Sequence, residues 1–303
     1  MVLTAMDYEG VDNQNGSELW QKLVSLKNTI SSTPLDPTIV KRCIIQTEVK
    51  RAEQSNVLPE NRLFVNSNQN LGYGTDQQDA KEFFMCLDEN EKDWVDVFNF
   101  FKIGTQSETE CSHCGNISRQ QNCNNISTFI RLHCPPQNTT LKAYLESKMN
   151  GFEVTENWRD ESGCNLVTIG KNKNRISDMS CINFVIFVID RLLKIDNQLH
   201  IIETKIQAER NECIMLEDSN GNSANFQLLS VIHHSGNVVV QAKTQGHYYA
   251  DVKNVNNDNW YRTSDSNQPE DLSNKRLTEN GYIYLLKKMY IDTNSVVVEH
   301  IHK

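Results

Sequence analysis

The pattern of apolar and polar positions divides the chain into a helical first third and a strand-rich remainder. Apolar residues recur at helical spacing after residue 17 and again after Asp76, a suitable N-cap, where one face carries Ala80, Phe83, Phe84 and Leu87. Later, short apolar runs predict strands at 183–189, 226–232, 237–242, 247–252 and 281–286. Helices followed by strands predict an α+β fold.

The segments between these elements are expected to be less regular. Residues 1–16 are polar without a repeating pattern and are expected to be loose, and residues 191–224 are interpreted as a variable, charged connector. After Gly104, Asn-rich stretches alternate with short apolar runs, which favours antiparallel strands joined by long loops.

Composition and charge narrow the classes of partner. The chain has 303 residues, of which 38% are hydrophobic, and a net charge of −9. Nucleic acid is not expected as a partner because phosphate binding needs clustered Lys and Arg, whereas a basic protein is compatible with this charge. A membrane is not expected either, since no apolar run approaches the roughly 18 residues of a membrane span.

The nine cysteines and the N-terminal sequence bear on the compartment. The first residues lack a basic region followed by an apolar core, which is the pattern of a secretory signal. We therefore expect free thiols in a reducing compartment, the cytoplasm or the nucleus.

The clearest candidate chemistry lies between residues 246 and 266. Residues 246–252 read Gly-His-Tyr-Tyr-Ala-Asp-Val, and residues 260–266 read Trp-Tyr-Arg-Thr-Ser-Asp-Ser. A hairpin can bring a histidine that opens an aromatic strand against an acidic residue 18 positions later. The alternative is a strand histidine that makes ordinary hydrogen bonds.

Three further segments complete a recognisable series. Residues 77–84 read Gln-Gln-Asp-Ala-Lys-Glu-Phe-Phe, residues 183–192 form an apolar run that ends in Asp-Arg-Leu, and residues 281–286 form another apolar run. In this order, and together with the segment at 246–266, they resemble the ubiquitin-specific proteases, which are papain-like thiol hydrolases. The resemblance covers about residues 19–286.

The resemblance implies a papain-like, hand-shaped α+β domain over residues 17–290. Its expected parts are a helical thumb remnant at 17–104, β fingers at 105–180 and an antiparallel β palm at 181–290. Residues 291–303 are expected to form a C-terminal tail.

The resemblance also assigns catalytic roles. His247 matches the family's Gly-His-Tyr histidine, which accepts the proton of a nucleophilic cysteine. In the family, the residue four positions after the tryptophan is Asp or Asn, whereas this chain has Ser264, whose side chain lacks the carbonyl group that would reach the ring. Asp265 is therefore the candidate that orients His247, and the alternative is a turn residue.

The nucleophile has no recognisable occupant. The family's Gly-Asn-Thr-Cys-Tyr box, which also carries the asparagine that helps to bind the oxyanion, occurs nowhere in this sequence. Cys43 is not preceded by Gly-Asn-Thr, and Cys86 falls inside the helix predicted after Asp76, so we interpret both as small core residues.

Ubiquitin-binding residues follow from the same resemblance. The family's Gln-box helix lines the cleft that ubiquitin's C-terminal tail enters, which assigns Gln78 and Asp79 as hydrogen-bonding residues, together with Tyr248. The alternative for the helix is N-terminal capping and a solvated polar face.

The segment Cys111-Ser112-His113-Cys114-Gly115 has the form of half a zinc site. The family pairs it with a second Cys-x-x-Cys about 50 residues later, where this chain has only Cys164. On paper, Cys111, Cys114 and Cys164 reach the usual four ligands with either His113 or Cys123. The alternative, which we expect, is a degenerate site without a cofactor, held by hydrogen bonds.

Three functions are compatible with these features. The first is a catalytically inactive domain that binds ubiquitin or another protein of the ubiquitin pathway. The second is an active deubiquitinase whose cysteine-bearing segment is missing from this chain, and the third is a structural module without affinity for ubiquitin. The missing box, Ser264 and the incomplete cysteine set favour the first.

Overall fold

The computed structural model describes residues 101–119, 125–195, 198–235, 247–254, 257–264, 268–277 and 279–289. The helices predicted in the first third of the chain and the strand predicted at 237–242 lie outside these residues. So do Cys43, Cys86, Cys123 and the Gln box.

The described elements are one helix and seventeen strands. In chain order they are β1 (Ile103–Cys111), β2 (Ile117–Arg119), β3 (Asn125–Ser127), β4 (Ile130–His133), β5 (Thr139–Thr140), α1 (Leu141–Asn150), β6 (Glu153–Arg159), β7 (Val167–Ile176), β8 (Phe184–Asp190), β9 (Leu192–Ile195), β10 (Gln198–Ile201), β11 (Ile206–Gln207), β12 (Cys213–Glu217), β13 (Ser223–Ser235), β14 (His247–Lys253), β15 (Trp260–Thr263), β16 (Glu270–Asp271) and β17 (Gly281–Lys288).

A five-stranded antiparallel sheet occupies the earlier part of the described chain. Its order is β2-β1-β7-β6, and β3 pairs with the start of β1. The register places Cys111, the last residue of β1, opposite Gly170 of β7. The turn after β1 and the turn between β6 and β7 therefore lie at the same end of the sheet.

An eight-stranded sheet contains most of the later strands. Its order is β16-β15-β14-β13-β17-β8-β4, and β12 pairs with β13. All pairs are antiparallel except β4 and β8, which are parallel. The central strands β8 and β17 are buried on both faces, which explains why their sequences are continuous apolar runs and not alternating ones.

Helix α1 packs on this sheet and was not predicted from the sequence. It begins after Thr140, whose hydroxyl accepts a hydrogen bond from the Ala143 amide, and it buries Leu141, Tyr144, Leu145 and Met149. Its polar side chains cover the free edge of β12, because Asn150 and Glu146 bond to the backbone of Met215. Among the described residues, no helical segment has the length and hydrophobicity of a membrane span.

The interpretation of residues 191–224 as a connector is wrong in part. The segment contains β9, β10, β11 and β12. In β12 the side chains of Ile214 and Leu216 are buried while that of Met215 is exposed, an alternation that is typical of an edge strand with one face on the core. These strands are only two to five residues long, so none of them forms a long apolar run in the sequence.

The hairpins β13-β14-β15 set the positions of the candidate site residues. Their register pairs Ser235 with His247, His233 with Tyr249, and Asp251 with Arg262. Because paired residues and residues two apart along a strand share a face, these side chains lie on one face of the sheet.

Candidate functional site

The side chain that contacts His247 is Ser264, although the sequence favoured Asp265 as the orienting residue. The imidazole Nε2 lies 2.5 Å from the hydroxyl Oγ of Ser264, and both side chains are half-buried. Ser264 reaches the ring despite its short side chain because β14 and β15 are paired up to Ala250 and Thr263, immediately before it. Asp265 lies outside the described residues, so its role as the orienting group stays a prediction.

The proposed ubiquitin-binding residues are only partly within the described structure. Tyr248 follows His247 on β14 and therefore points to the opposite face of the sheet. Its ring packs 4.7 Å from the ring of His234 and 6.1 Å from that of Tyr282. Gln78 and Asp79 lie outside the described residues, and the binding role of all three stays a prediction.

A buried charged network lies beside His247 on the same face. The carboxylate of Asp251 accepts two hydrogen bonds from Arg262, at 2.7 and 3.0 Å, and lies 3.1 Å from Nε2 of His233. The side chains of His233 and Asp251 are fully buried. Because an ionised carboxylate only accepts hydrogen bonds, Nε2 of His233 is the donor.

Burial and pairing fix the charge states of this network. Burial raises the pKa of Asp251, but the hydrogen bonds from His233 and Arg262 outweigh it, so the pKa lies below its usual value. Burial lowers the pKa of His233, against the opposing effect of Asp251. At neutral pH the network therefore consists of an anion, a cation and a neutral imidazole.

Tyr249 connects this network to the His247 strand. Its ring stacks on His233 at 4.9 Å, and the guanidinium of Arg262 lies 4.9 Å from the centre of the same ring. Tyr249 lies two residues after His247 on β14. The contacts among Tyr249, His233 and Arg262 therefore fix the strand that carries His247. The sequence reasoning missed this network, although His233 and Asp251 have the same 18-residue spacing as His247 and Asp265.

A second cluster of reactive side chains lies at the end of the five-stranded sheet. The sulfur atoms of Cys111 and Cys164 are 3.8 Å apart, and the thiol of Cys114 donates to Oδ2 of Asp160 at 3.1 Å. The four ligand atoms lie within 4.8 Å of one another, so the cluster could hold a metal ion. The fourth member is Asp160, whereas the sequence suggested His113, which is exposed, or Cys123, which is not described.

Asp160 is the centre of a dense hydrogen-bond network. Besides the Cys114 thiol, its carboxylate accepts bonds from the Asn116 amide group at 3.1 Å, the Ser162 hydroxyl at 3.2 Å and the Cys164 backbone amide at 3.2 Å. Burial raises the pKa of Asp160, but these bonds lower it to about 2. The sequence signal for Asp160 was its position four residues before Cys164. A carboxylate there is missed when only thiolates are considered as ligands.

The remaining described cysteines lie elsewhere. Cys134 follows β4, and burial raises the pKa of its thiol although Arg191 opposes this. Cys181 is exposed and precedes β8, and Cys213 begins β12. None of the six described cysteines is on β14 or on the two strands that pair with it.

Three solved structures of similar fold are SAGA DUB modules. The SAGA Ubp8/Sgf11/Sus1/Sgf73 DUB module bound to ubiquitin aldehyde matches with a TM-score of 0.57 at 19% identity, over 75% of this chain and 52% of that chain. A module with a cysteine-to-alanine variant of Ubp8, bound to monoubiquitin, matches with a TM-score of 0.57 at 20% identity, over 74% and 51%. A yeast SAGA DUB module matches with a TM-score of 0.51 at 17% identity, over 71% and 47%.

These similarities concern the fold, and the chain spans about half the length of the solved chains. They confirm the predicted hand-shaped α+β fold. No curated protein is significantly similar to the chain. The model of the ubiquitin carboxyl-terminal hydrolase family matches residues 11–286. The resemblance noted in the sequence is thereby confirmed, and the chain belongs to the ubiquitin carboxyl-terminal hydrolase family.

Proposed function

We propose that this chain binds ubiquitin, with the C-terminal tail of ubiquitin directed towards His247, and that the chain by itself does not cleave the bond at the end of that tail. One observation carries the proposal. The imidazole of His247 is still held in place by Ser264, while the sequence contains no Gly-Asn-Thr-Cys box.

Thiol hydrolysis needs a thiolate, a base that takes the thiol's proton, and a group that orients the base. In this chain His247 supplies the base, and Ser264, or Asp265 beside it, supplies the orienting group. The cysteine and the oxyanion-binding asparagine both belong to the missing box. Loss of one oxyanion donor costs about 100- to 1,000-fold in rate, and loss of the nucleophile removes the covalent route altogether.

Ubiquitin binding does not require the nucleophile. The similar Ubp8 modules are bound to ubiquitin aldehyde and to monoubiquitin. In this chain the amide of Gln78 and the carboxylate of Asp79 would bond to the extended tail, and Tyr248 would add a contact from the other face of β14. The net charge of −9 suits a ligand with a basic tail.

A second candidate function is an active deubiquitinase in which a cysteine-bearing segment outside this sequence completes the site. The contact between His247 and Ser264 favours it, because the ring is positioned as a functioning base would be. The buried network of Asp251, His233 and Arg262 favours it as well, since it rigidifies the strand that carries His247.

We assign the five-stranded sheet to the fingers, the eight-stranded sheet to the palm, and the preceding residues, from 17, to the thumb. Two strands cross the bounds of 105–180 and 181–290 expected for the fingers and the palm, because β1 begins at Ile103 and β4 (Ile130–His133) pairs into the eight-stranded sheet. A metal ion held by the cysteine cluster would be structural, because the cluster is on the fingers sheet whereas His247 is on the palm sheet. The free thiols suit the cytoplasm or the nucleus.

The binding proposal is tested by calorimetric titration of the purified chain with monoubiquitin and, as a matched control, with ubiquitin that lacks its C-terminal tail. We expect saturable binding to the full-length form and binding at least about tenfold weaker, about 1.4 kcal/mol, to the truncated form. Equal affinity for both forms contradicts tail recognition, and the absence of saturable binding supports the structural-module hypothesis.

A further inference from the structure

The cluster of Cys111, Cys114, Asp160 and Cys164 has the dimensions of a tetrahedral zinc site. With bonds of about 2.3 Å to sulfur and about 2.0–2.2 Å to oxygen, tetrahedral geometry places two sulfur ligands roughly 3.8 Å apart and a sulfur and an oxygen roughly 3.5 Å apart. The distance between Cys111 and Cys164 is 3.8 Å. The distance of 3.1 Å between Cys114 and Asp160 is that of a hydrogen bond, so a bound metal would separate them by a few tenths of an ångström.

Two rigid turns present the four ligands. Cys111 and Cys114 come from the turn after β1, where the Gly115 amide donates to the Cys111 carbonyl and the Cys111 amide donates to Asn116. Asp160 and Cys164 come from the turn between β6 and β7, where the Asn165 amide donates to the Asp160 carbonyl at 2.7 Å. Each turn contributes one pair of ligands, so a bound metal would join the two turns.

The absence of a side chain at Gly163 makes room for the carboxylate of Asp160. A Cβ atom at Gly163 would lie 2.1 Å from Oδ2 of Asp160 and 2.9 Å from Nδ2 of Asn116. Any side chain at residue 163 would therefore displace the carboxylate from the cluster. Glycine at this position keeps Asp160 within reach of the three thiols.

The surroundings of Asp160 are the second observation that points to a cation. Its side chain is completely buried. In the described part of the chain its partners are a thiol, an amide, a hydroxyl and a backbone N–H, and no Lys or Arg forms an ion pair with it. Buried charges are usually paired with an opposite charge or bound to a metal, and this carboxylate has only neutral partners.

We propose that Asp160 is the fourth ligand of a structural Zn²⁺ site formed with Cys111, Cys114 and Cys164. The site has three thiolates and one carboxylate, where the family's paired Cys-x-x-Cys pattern has four thiolates. Thiolates select Zn²⁺ over Mg²⁺ and Ca²⁺, which prefer oxygen ligands. Asp160 therefore replaces one thiolate of the family's pattern, and the site is kept. This inference is independent of whether the chain binds ubiquitin.

The metal-free form is held together by the same residues. The thiol of Cys114 donates to Asp160, and the bonds from Asn116, Ser162 and Cys164 keep the carboxylate in position. Metal binding releases the thiol protons to the solvent and replaces the bond between Cys114 and Asp160 with two bonds to the ion. The turns are thus preorganised for the ion.

The test begins with the unsubstituted chain, purified with zinc present. We expect one zinc per chain by elemental analysis, and X-ray absorption at the zinc edge to show three sulfur neighbours and one oxygen neighbour. Competition with a chromophoric chelator then gives affinities for Asp160→Asn, Asp160→Cys and the control Glu161→Gln, which changes an exposed neighbouring acid. Asp160→Asn should weaken zinc binding by at least about 10- to 100-fold, the range seen even for outer-sphere partners.

The two other variants should behave differently. Asp160→Cys should bind zinc at least as tightly as the parent chain, and in the Co²⁺ form it should add a fourth thiolate-to-metal charge-transfer contribution. Glu161→Gln should leave the affinity unchanged. Circular dichroism of each metal-free variant checks that the sheets are intact.

Three results would overturn the proposal. Zinc below stoichiometric amounts in the parent chain would show that the cluster is only hydrogen-bonded, as the degenerate-site alternative holds. An affinity unchanged in Asp160→Asn, or four sulfur neighbours in the parent chain, would show that Asp160 is not a ligand. Because the X-ray absorption measurement uses the parent chain, it decides the matter even if a variant fails to fold.

Discussion

His247 and Ser264 form a direct side-chain contact of 2.5 Å between Nε2 and Oγ, at the position where the family has a carboxylate or an amide. A hydroxyl can fix the orientation of an imidazole, since it both donates and accepts hydrogen bonds. It adds no charge beside the ring. In the proposed role of His247 as a base, Ser264 would fix the ring without the negative charge that an aspartate provides.

Replacing Ser264 should change the state of the His247 ring. Ser264→Ala removes the oxygen that lies against Nε2, so we expect altered ¹⁵N chemical shifts of the His247 ring nitrogens and a ring that samples more than one orientation. Thr263→Ala, which removes a hydroxyl from the exposed neighbouring residue, is the control. Unchanged His247 shifts in Ser264→Ala would mean that another group, such as Asp265, orients the ring.

Breaking the buried pair of Asp251 and Arg262 should be strongly destabilising. Asp251→Asn keeps the shape of the side chain but leaves a partly buried guanidinium without its counter-charge, which typically costs about 3–5 kcal/mol. Urea unfolding monitored by circular dichroism measures this loss. Glu270→Gln breaks an exposed pair with Lys275, and because solvent screens that pair, its loss of stability should be much smaller. Similar losses for the two variants would show that the buried network contributes little to stability.

The buried His233 should make the free energy of unfolding depend on pH. Its pKa in the folded state lies below the ordinary value of about 6.5, so below that pH the unfolded chain binds a proton that the folded chain does not. Stability should therefore fall as the pH falls below about 6.5, by up to about 1.4 kcal/mol per pH unit for this one group.

The contribution of His233 is isolated by comparing the parent chain with His233→Phe at each pH. The other histidines cancel in this comparison, so the difference in the free energy of unfolding should change with pH below about 6.5. A difference that is constant from pH 7 to pH 5 would contradict the assignment of a neutral, buried His233. Asp251 affects stability at lower pH. Because its pKa is lowered in the folded state, it contributes stability above about pH 3.9, and this contribution is lost on further acidification.

The Gln-box residues and Tyr248 should contribute to the affinity for ubiquitin. Hydrogen bonds to charged groups contribute about 1.5–3 kcal/mol, so Gln78→Ala and Asp79→Asn should each weaken binding by about tenfold or more. Tyr248→Ala tests the contact proposed on the other face of β14. Glu203→Gln, at an exposed acid between β10 and β11, is the control for loss of negative charge. A loss of affinity as large in Glu203→Gln would indicate general electrostatic attraction.

Most of the central fold was predictable from the sequence because it depends on local patterns. The apolar runs predicted as strands at 183–189 and 281–286 are observed as Phe184–Asp190 and Gly281–Lys288. The aromatic strand that begins at His247 was also predicted. Helix α1 was missed because its segment has only ten residues, of which half are polar, and only its buried face shows the helical spacing.

The site was less predictable, because it depends on pairings across the sequence. Asp160 and Cys114 are 46 residues apart, and only the register between β1 and β7 brings their turns together. His233 resembles an ordinary strand histidine until the pairing of β13 with β14 places it beside Asp251. Ser264 seemed too short for His247, and the closeness of β14 and β15 compensates for its length.

Ubiquitin binding and thiol reactivity of the chain can be measured in one sample. The purified chain is titrated with monoubiquitin and then incubated with a ubiquitin probe that carries a thiol-reactive group at its C-terminus, and intact-mass spectrometry records any adduct. We expect saturable binding with no increase in mass. A covalent adduct on any of the nine cysteines would reveal a nucleophile within this chain and would show that it is not a non-cleaving ubiquitin-binding domain.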